Sequence, residues 1–225
     1  MPDNRGHLLP VYVLADESFS MNANAAELNA GLISLYEALR SEPMIAAKVR
    51  LSVLGFSNNV AVRMALADLR AETRLPQLQI RNGGTSYRVA FEDLLGRIPA
   101  DIRTLKASGY MVHRPAVFFL SDGQPTDGEW GTAHSRLTDR SVTPAGPNII
   151  ACGIGQVKPE TIIQVATQHD FAFVAVAGAD LGSAIAEFFI ALTASVVQSG
   201  RSLTSANPQL VVERPEGFRM AIDVV

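Results

Sequence analysis

The chain has 225 residues, 48% of them hydrophobic and 18% charged, with a formal net charge of −3. That balance supports a sizeable core and excludes a disordered chain, and the slightly acidic total with no polybasic run argues against a nucleic-acid binder. The single cysteine, Cys152, excludes an intramolecular disulfide and a cysteine-based metal site.

The first seven residues are polar, with no apolar stretch behind a cationic start, so no signal peptide is expected. The longest apolar run, Phe188–Val197, is half of the ~20 residues that span a bilayer. The expectation is a soluble, cytoplasmic protein with no membrane and no nucleic-acid partner.

In chain order, strand-like runs fall at Leu8–Ala15, Val49–Ser57, Val60–Ala65, Ala116–Ser121, Ile149–Gly153 and Phe171–Ala177. Leu8–Ala15, Ala116–Leu120 and Ile149–Ala151 are apolar nearly throughout, as in central strands buried on both faces. Val49, Leu51 and Val53 alternate with Arg50 and Ser52, which places that strand nearer an edge. Asn58-Asn59 reads as a tight turn, making Val60–Ala65 an antiparallel edge strand.

Between the strands, Leu28, Leu32, Leu35 and Leu39 mark a helix over Ala23–Arg40 that ends before Pro43. A second helix starts near Ser86 and carries Phe91, Leu94 and Ile98 on one face; Pro99 is expected to kink or interrupt it. Weaker helical patterns cover Asp127–Asp139 and Pro159–Gln168, and a strong one runs from Leu181 to Gly200. Leu210–Val212, Pro215-Glu216-Gly217 and the alternating Phe218, Met220, Ile222 and Val224 read as an add-on hairpin arm. Strands alternating with helices indicate an α/β, doubly wound, mostly parallel sheet.

Three polar stretches lie where a strand gives way to a loop or helix: Asp16-Glu17-Ser18-Phe19-Ser20-Met21, Gly83-Gly84-Thr85-Ser86, and Ser121-Asp122-Gly123-Gln124-Pro125-Thr126-Asp127. Asp16, Ser18, Ser20, Thr85 and Asp122 offer only oxygen, the donor set that hard divalent ions such as Mg²⁺ prefer. A loop with donors spaced by two can aim three at one point. Asp122 reaches that point if its strand lies beside the first, at the place where strand order reverses.

Asp-x-Ser-x-Ser, a later Thr and a later Asp-Gly resemble the metal-ion-dependent adhesion site (MIDAS) of von Willebrand factor A (vWA) domains, over roughly residues 8 to 200. More closely, the chain resembles the TerY-like branch of bacterial tellurite-resistance and chemical-stress loci. That likeness rests on Val11–Met21, Gly83-Gly84-Thr85, Phe118–Asp127, Asn148–Gly155 and Glu187–Ser199.

The resemblance implies one vWA domain at residues 1–200, an extension at 201–225, and a six-stranded sheet in the order 3-2-1-4-5-6 with helices on both faces. It implies that Ser18, Ser20 and Thr85 coordinate Mg²⁺ (or Mn²⁺ or Ca²⁺) directly, while Asp16 and Asp122 act largely through water. A partner's Asp or Glu would then fill the open coordination position, with Glu17, Phe19, Met21 and Asp127 as the rim. A kinase or metal-dependent phosphatase of the same locus is the implied partner. Many family members carry glycine at the position of Phe19. Phenylalanine there is strained if φ is positive, and otherwise presents an aromatic beside the site.

Other readings stand beside this one. Asp16, Ser18, Ser20 and Thr85 are also typical helix-capping residues, and Asp122-Gly123 is a turn signal. Asp16 after a first strand also suits a metal-dependent phosphohydrolase, though Ser18 replaces the second carboxylate of an Asp-x-Asp start. A structural domain with a vestigial site is the third class. Cys152 reads as a buried hydrophobe and Trp130 as packing; His7, His113, His134 and His169 share no ligand spacing and read as surface or loop histidines. Gly153-Ile154-Gly155 fails phosphate-loop spacing. The expected class is a binding module rather than an enzyme.

Overall fold

Every residue of the first strand beyond His7 is buried, and its side chains alternate between two cores. In the computed structural model, which describes residues 6–223 apart from 204 and 206, β1 (His7–Asp16) sends Leu9, Val11, Val13 and Ala15 to one face and Tyr12 and Leu14 to the other. β5 (Ala116–Ser121) divides in the same way. A strand apolar at every position therefore sits mid-sheet, covered on both sides.

The other strands are β2 (Val49–Phe56), β3 (Val60–Asp68), β4 (Met111–Val112), β6 (Asn148–Gly153), β7 (Ala172–Ala175) and β8 (Phe218–Met220). They run in the order β3-β2-β1-β5-β6-β7-β8, with β4 beside the start of β1. β3 and β8 are antiparallel to their neighbours. The six strands expected from the sequence keep their order; β4 and β8 bring the sheet to eight. β1 pairs in parallel with both β2 and β5, so strand order reverses between β1 and β5.

One face is covered by α1 (Ala25–Ser41), α2 (Pro43–Lys48) and α6 (Leu181–Ser202). The other is covered by α3 (Tyr87–Ala107), α4 (Trp130–Thr138) and α5 (Pro159–Val165). The α1 stripe Leu28, Leu32, Leu35 and Leu39 is fully buried. α1 and α6 lie so close at Gly31 that a Cβ there would sit 2.2 Å from the Phe189 ring. By length and hydropathy α6 resembles a membrane span, but Ile185, Phe188, Leu192 and Val196 bury it on the sheet.

Several expectations change in physical detail. A 3-10 turn, Phe19–Asn24, precedes α1. Pro43 does not merely follow a helix; it starts α2, where its fixed φ and missing N–H cost nothing. Pro99 does not interrupt α3. Ile98 and Ile102 are buried on either side of it, and their packing holds both halves of the helix to the sheet against a proline cost of ~3 kcal/mol. β2 lies one strand from the edge, as its alternation indicated, and its polar residues are nonetheless buried: Arg50 against Asp68 at 3.1 Å, and Ser52, whose hydroxyl donates to the Met64 carbonyl at 2.9 Å.

The tail forms one strand rather than a hairpin within the described residues; Val224 lies outside them. Leu210–Val212 lies along α6 instead. Ser199 accepts from the Val211 amide at 2.8 Å, and buried Ser195 accepts from the Glu213 amide at 2.9 Å. Helix serines thus satisfy backbone groups that a partner strand would otherwise have to meet.

Phe119 stacks with Phe56 and Phe91 and meets Tyr87 edge-on, all fully buried. Truncation by Phe119→Ala is expected to cost about 3–5 kcal/mol in urea unfolding, with the slope m unchanged.

Candidate metal centre

Because β1 and β5 are neighbours in register, the loops that follow them leave the same end of the sheet side by side. The Asp16 carboxylate, fully buried, accepts from the Ser18 amide at 2.8 Å and from the Ser121 hydroxyl at 2.7 Å. Ser18 Oγ lies 3.0 Å from Ser20 Oγ, and Ser20 Oγ donates to Asp122 Oδ1 at 2.8 Å. Four of the five expected donors therefore form one continuous chain across the β1–β5 junction.

Thr85 arrives from a separate loop. The Gly84 amide donates to Asn58 Oδ1 at 2.8 Å, and a Cβ on Gly83 or Gly84 would strike Ser57 or Thr126. The two glycines thus let this loop press against both neighbours. The Thr85 carbonyl accepts from the Thr126 amide at 2.9 Å, tying it to the Asp122 loop, and its hydroxyl faces Gly123. Ser86 caps α3, so the capping reading applies to Ser86 and not to Thr85. Ser18, at the N-cap position of the 3-10 turn, makes no capping bond there with its side chain.

Of the four rim residues, only Phe19 faces out, 63% exposed. Among the described residues no non-glycine residue has positive φ, so Phe19 occupies an ordinary turn without strain. Met21 belongs to the core. Asp127 turns inward, accepting from Ser86 Oγ and from the Tyr87 and Arg88 amides at 3.2 and 2.9 Å, where a carboxylate suits the positive end of α3.

Glu17 also turns inward. Its buried carboxylate meets Arg63 at 2.7 Å and Arg81 at 2.9 Å and accepts from the Gln79 amide at 2.9 Å. Ser121 stood in the third polar stretch without a role, and Arg63 and Arg81 carried no local signal, since what all three do depends on contacts between distant segments. His7 and His113, expected to be scattered, meet at 2.8 Å, and His134 is tucked against Trp130 and the Val165 carbonyl. Trp130 packs on Tyr87 and Phe91, and Cys152 is buried.

The contrast between Asp16 and Glu17 decides the chemistry. Two guanidinium groups neutralise Glu17, whereas neutral donors alone reach Asp16, and Asp122 adds a second negative charge. Burial first, and Asp122 second, push the Asp16 carboxyl up to about 6 against hydrogen bonds from Ser121 and Ser18 that pull it down. Burial also raises Asp122. Two desolvated carboxylates beside three hydroxyls, without a basic partner among the described residues, fit a hard divalent cation. Among those residues no group of three or more His, Cys, Asp or Glu is placed to hold a metal ion, so a cation here would have to draw on the hydroxyls as well.

A carboxyl whose folded pKa is raised holds its proton longer in the folded state than in the unfolded one. Metal-free stability should therefore fall as pH rises from about 4 to about 6, by on the order of 3 kcal/mol, and level off above. Asp16→Asn is expected to remove that fall in chelator while abolishing stabilisation by Mg²⁺. In wild type at fixed Mg²⁺ the rise in Tm should grow as pH passes through 6, and the stabilisation behind it should be about 2.7 kcal/mol where Mg²⁺ is at a hundred times Kd. Melts showing the same Mg²⁺ response in Asp16→Asn, Thr85→Ala and Asp122→Ala would remove these residues from the site.

No family profile and no curated protein matches the sequence. Solved structures do share its architecture. The pilus adhesin SpaC of Lactobacillus rhamnosus GG superposes with a TM-score of 0.65 at 14% identity, over 87% of this chain and 30% of its own. A von Willebrand factor type A structure from Catenulispora acidiphila gives 0.59 at 16%, over 85% and 43%. Proximal thread matrix protein 1 from the mussel byssus, solved with a zinc-occupied MIDAS motif, gives 0.59 at 17%, over 86% and 48%. The chain thus spans less than half the length of these structures, and what it shares with them is the vWA-type fold.

Proposed function

We propose that this chain is a protein-binding module that holds one divalent cation among Asp16, Ser18, Ser20, Thr85 and Asp122 and engages an Asp or Glu of its partner there. The observation that carries this reading is the buried, uncompensated Asp16 beside Asp122 and two hydroxyls, at the sheet end where vWA-type folds leave their loops. The zinc-occupied MIDAS of the byssus protein supports a cation at the corresponding place. The all-oxygen donor set favours Mg²⁺, with Mn²⁺ or Ca²⁺ as alternatives. When bound, the ion supplies a coordination position that a partner carboxylate can fill. Ser18 and Ser20 hold their hydroxyls 3.0 Å apart to present donors, and Asp16 and Asp122 supply charge from behind. Phe19 offers an apolar rim beside a contact that is strong but small in area.

The finer reading places the module in a cytoplasmic, TerY-like stress-response system, with a kinase or metal-dependent phosphatase of the same locus as partner. It rests on the sequence likeness alone. The phosphohydrolase reading is disfavoured by the two remaining acids near the site: Glu17 is held by Arg63 and Arg81, and Asp127 by the α3 amides, so neither is free to act as a base.

Affinity capture with and without chelator, followed by calorimetric titration of the captured partner, tests the binding role. Thr85→Ala and chelation should each weaken the partner by tenfold or more, and their combination by little beyond either alone, since both delete one shared interaction. Equal affinity for wild type, chelated protein and Thr85→Ala would show that the metal face is not the binding face. With p-nitrophenyl phosphate and Mg²⁺ no turnover is expected; turnover abolished by Asp16→Asn would move the chain to the hydrolases.

A further inference from the structure

We propose that the opposite end of the sheet carries a second, metal-independent docking cleft for an acidic peptide segment of a partner, centred on Arg114. It goes beyond the metal-face reading and does not depend on it. The cleft lies where β1, β5 and β6 begin, whereas Asp16 and Asp122 lie where β1 and β5 end. The six residues of β5 separate the two ends by roughly 20 Å.

Two cavities of about 470 and 270 Å³ meet here and share His113 and Arg114 as their common wall. The larger has an apolar floor that includes Ile102, Val112, Pro115 and Val142, with Arg103 and Lys106 of α3 at its rim. The smaller adds Arg140 and the side-chain amides of Asn148 and Gln168. His113 is held in place by the bond to His7, their rings stacked at 5.1 Å.

Charge identifies the occupant. Many arginines elsewhere answer carboxylates, as Arg50 does Asp68, Arg63 and Arg81 Glu17, and Arg97 Asp93, while Arg40, Arg136, Arg214 and Arg219 stand without such a pair among the described residues. Among the described residues Arg103, Lys106, Arg114 and Arg140 form no such pair. Arg114 donates only to the Gly146 carbonyl, and Arg140 to Asn148 Oδ1 at 3.4 Å. The acid next to Arg140, Asp139, is turned to the Ser141 amide and hydroxyl at 2.8 and 2.6 Å. Burial, and then the charge of Arg140, hold the Arg114 guanidinium below its ordinary value. Four cations converge on a half-apolar cleft in a chain whose net charge is −3. An inorganic anion would meet the cations and leave the apolar floor wet. A peptide can place an apolar side chain on that floor and its carboxylates on Arg114, Arg140 and the α3 rim.

The test is fluorescence anisotropy with a labelled octapeptide carrying one central Leu flanked by Asp and Glu, against the same peptide with Lys at the acidic positions. Arg103, Lys106 and Arg140 are exposed, so reversing them should leave thermal melts unchanged. The acidic peptide should bind at least tenfold more tightly than its Lys counterpart. Its affinity should fall at least tenfold in Arg140→Glu and in the double variant Arg103→Glu/Lys106→Glu, and further as salt rises. Chelator and Asp16→Asn should leave it unchanged. The cleft proposal is overturned if both reversed variants bind like wild type, or if chelation abolishes binding, which would place the peptide on the metal face. It is equally overturned if pyrophosphate or AMP binds there while the peptide does not, which would make this a small-anion site.

Discussion

The arrangement of the Asp16–Asp122 cluster depends on a buried ion pair beside it, that of Glu17 with Arg63 and Arg81. Glu17 follows the last residue of β1, and its backbone extends the β1–β2 pairing by donating to the Phe56 carbonyl at 2.7 Å. Its side chain binds Arg63 on β3 and Arg81 on the segment leading to Gly83, and its carbonyl accepts from the Arg81 amide at 2.8 Å. Arg81 in turn reaches the Gly55 and Asn59 carbonyls. One carboxylate therefore fixes the exit of β1, the β2–β3 edge and the approach to Thr85 relative to one another. Gly55 shows how closely this clamp is fitted, because a Cβ there would lie 2.0 Å from the Glu17 carboxyl carbon. Removing one member of so buried a pair leaves an uncompensated charge, which is why such clamps set geometry more firmly than they add stability.

Adjacent acids in one loop thus have opposite fates, and backbone alternation is the reason. In an extended segment consecutive side chains point to opposite sides. Asp16 turns toward β5, where Ser121 waits, and Glu17 turns toward β2 and β3, where the arginines lie. The side with guanidinium groups is sealed. The side with hydroxyls keeps a charge deficit that a cation can fill, so the clamp on Glu17 and the vacancy of positive charge around Asp16 are two results of one strand direction.

This division also marks what the sequence could reveal. Asp16, Ser18, Ser20 and Asp122 were legible because each follows a strongly apolar run and together they form the Asp-x-Ser-x-Ser and Asp-Gly pattern that carries the family resemblance. Which strands are central was legible for the same reason, since β1, β5 and β6 are apolar on both faces, and the two-residue turn pointed to β3 as an edge; the full order came from the family resemblance. The inward roles of Glu17 and Asp127 were not legible, because their partners are long-range, with Arg63 lying 46 residues from Glu17. Local pattern rightly ended the first helix before Pro43 but overstated Pro99, whose effect depends on whether its neighbours are packed. The alternation over β8 was visible, but its place in the main sheet was not, because that depends on pairing with β7 rather than with a strand of its own arm.

The tail shows the same rule acting on backbone rather than side chains. Ser195, Ser199 and Ser202 interrupt the apolar pattern of α6 at helical spacing, which in isolation looks like a weakening of a core helix. In the fold they receive the amides of Glu213, Val211 and Gln209 in reverse order, so the tail runs antiparallel to the helix. Ser195 and Ser199, both buried, exchange an apolar contact for a hydrogen bond to a backbone amide that would otherwise go unmet, while the exposed Ser202–Gln209 bond continues the same seam. That seam delivers Phe218 to the edge of β7, where its ring enters the core. Residues beyond 200 therefore complete the sheet itself. The edge they cover is the one remote from Glu17 and β3, and on the way Leu203, Pro208, Gln209 and Leu210 wall the smaller cavity at the Arg114 end of the central strands, while the Asp16 end stays clear of the tail.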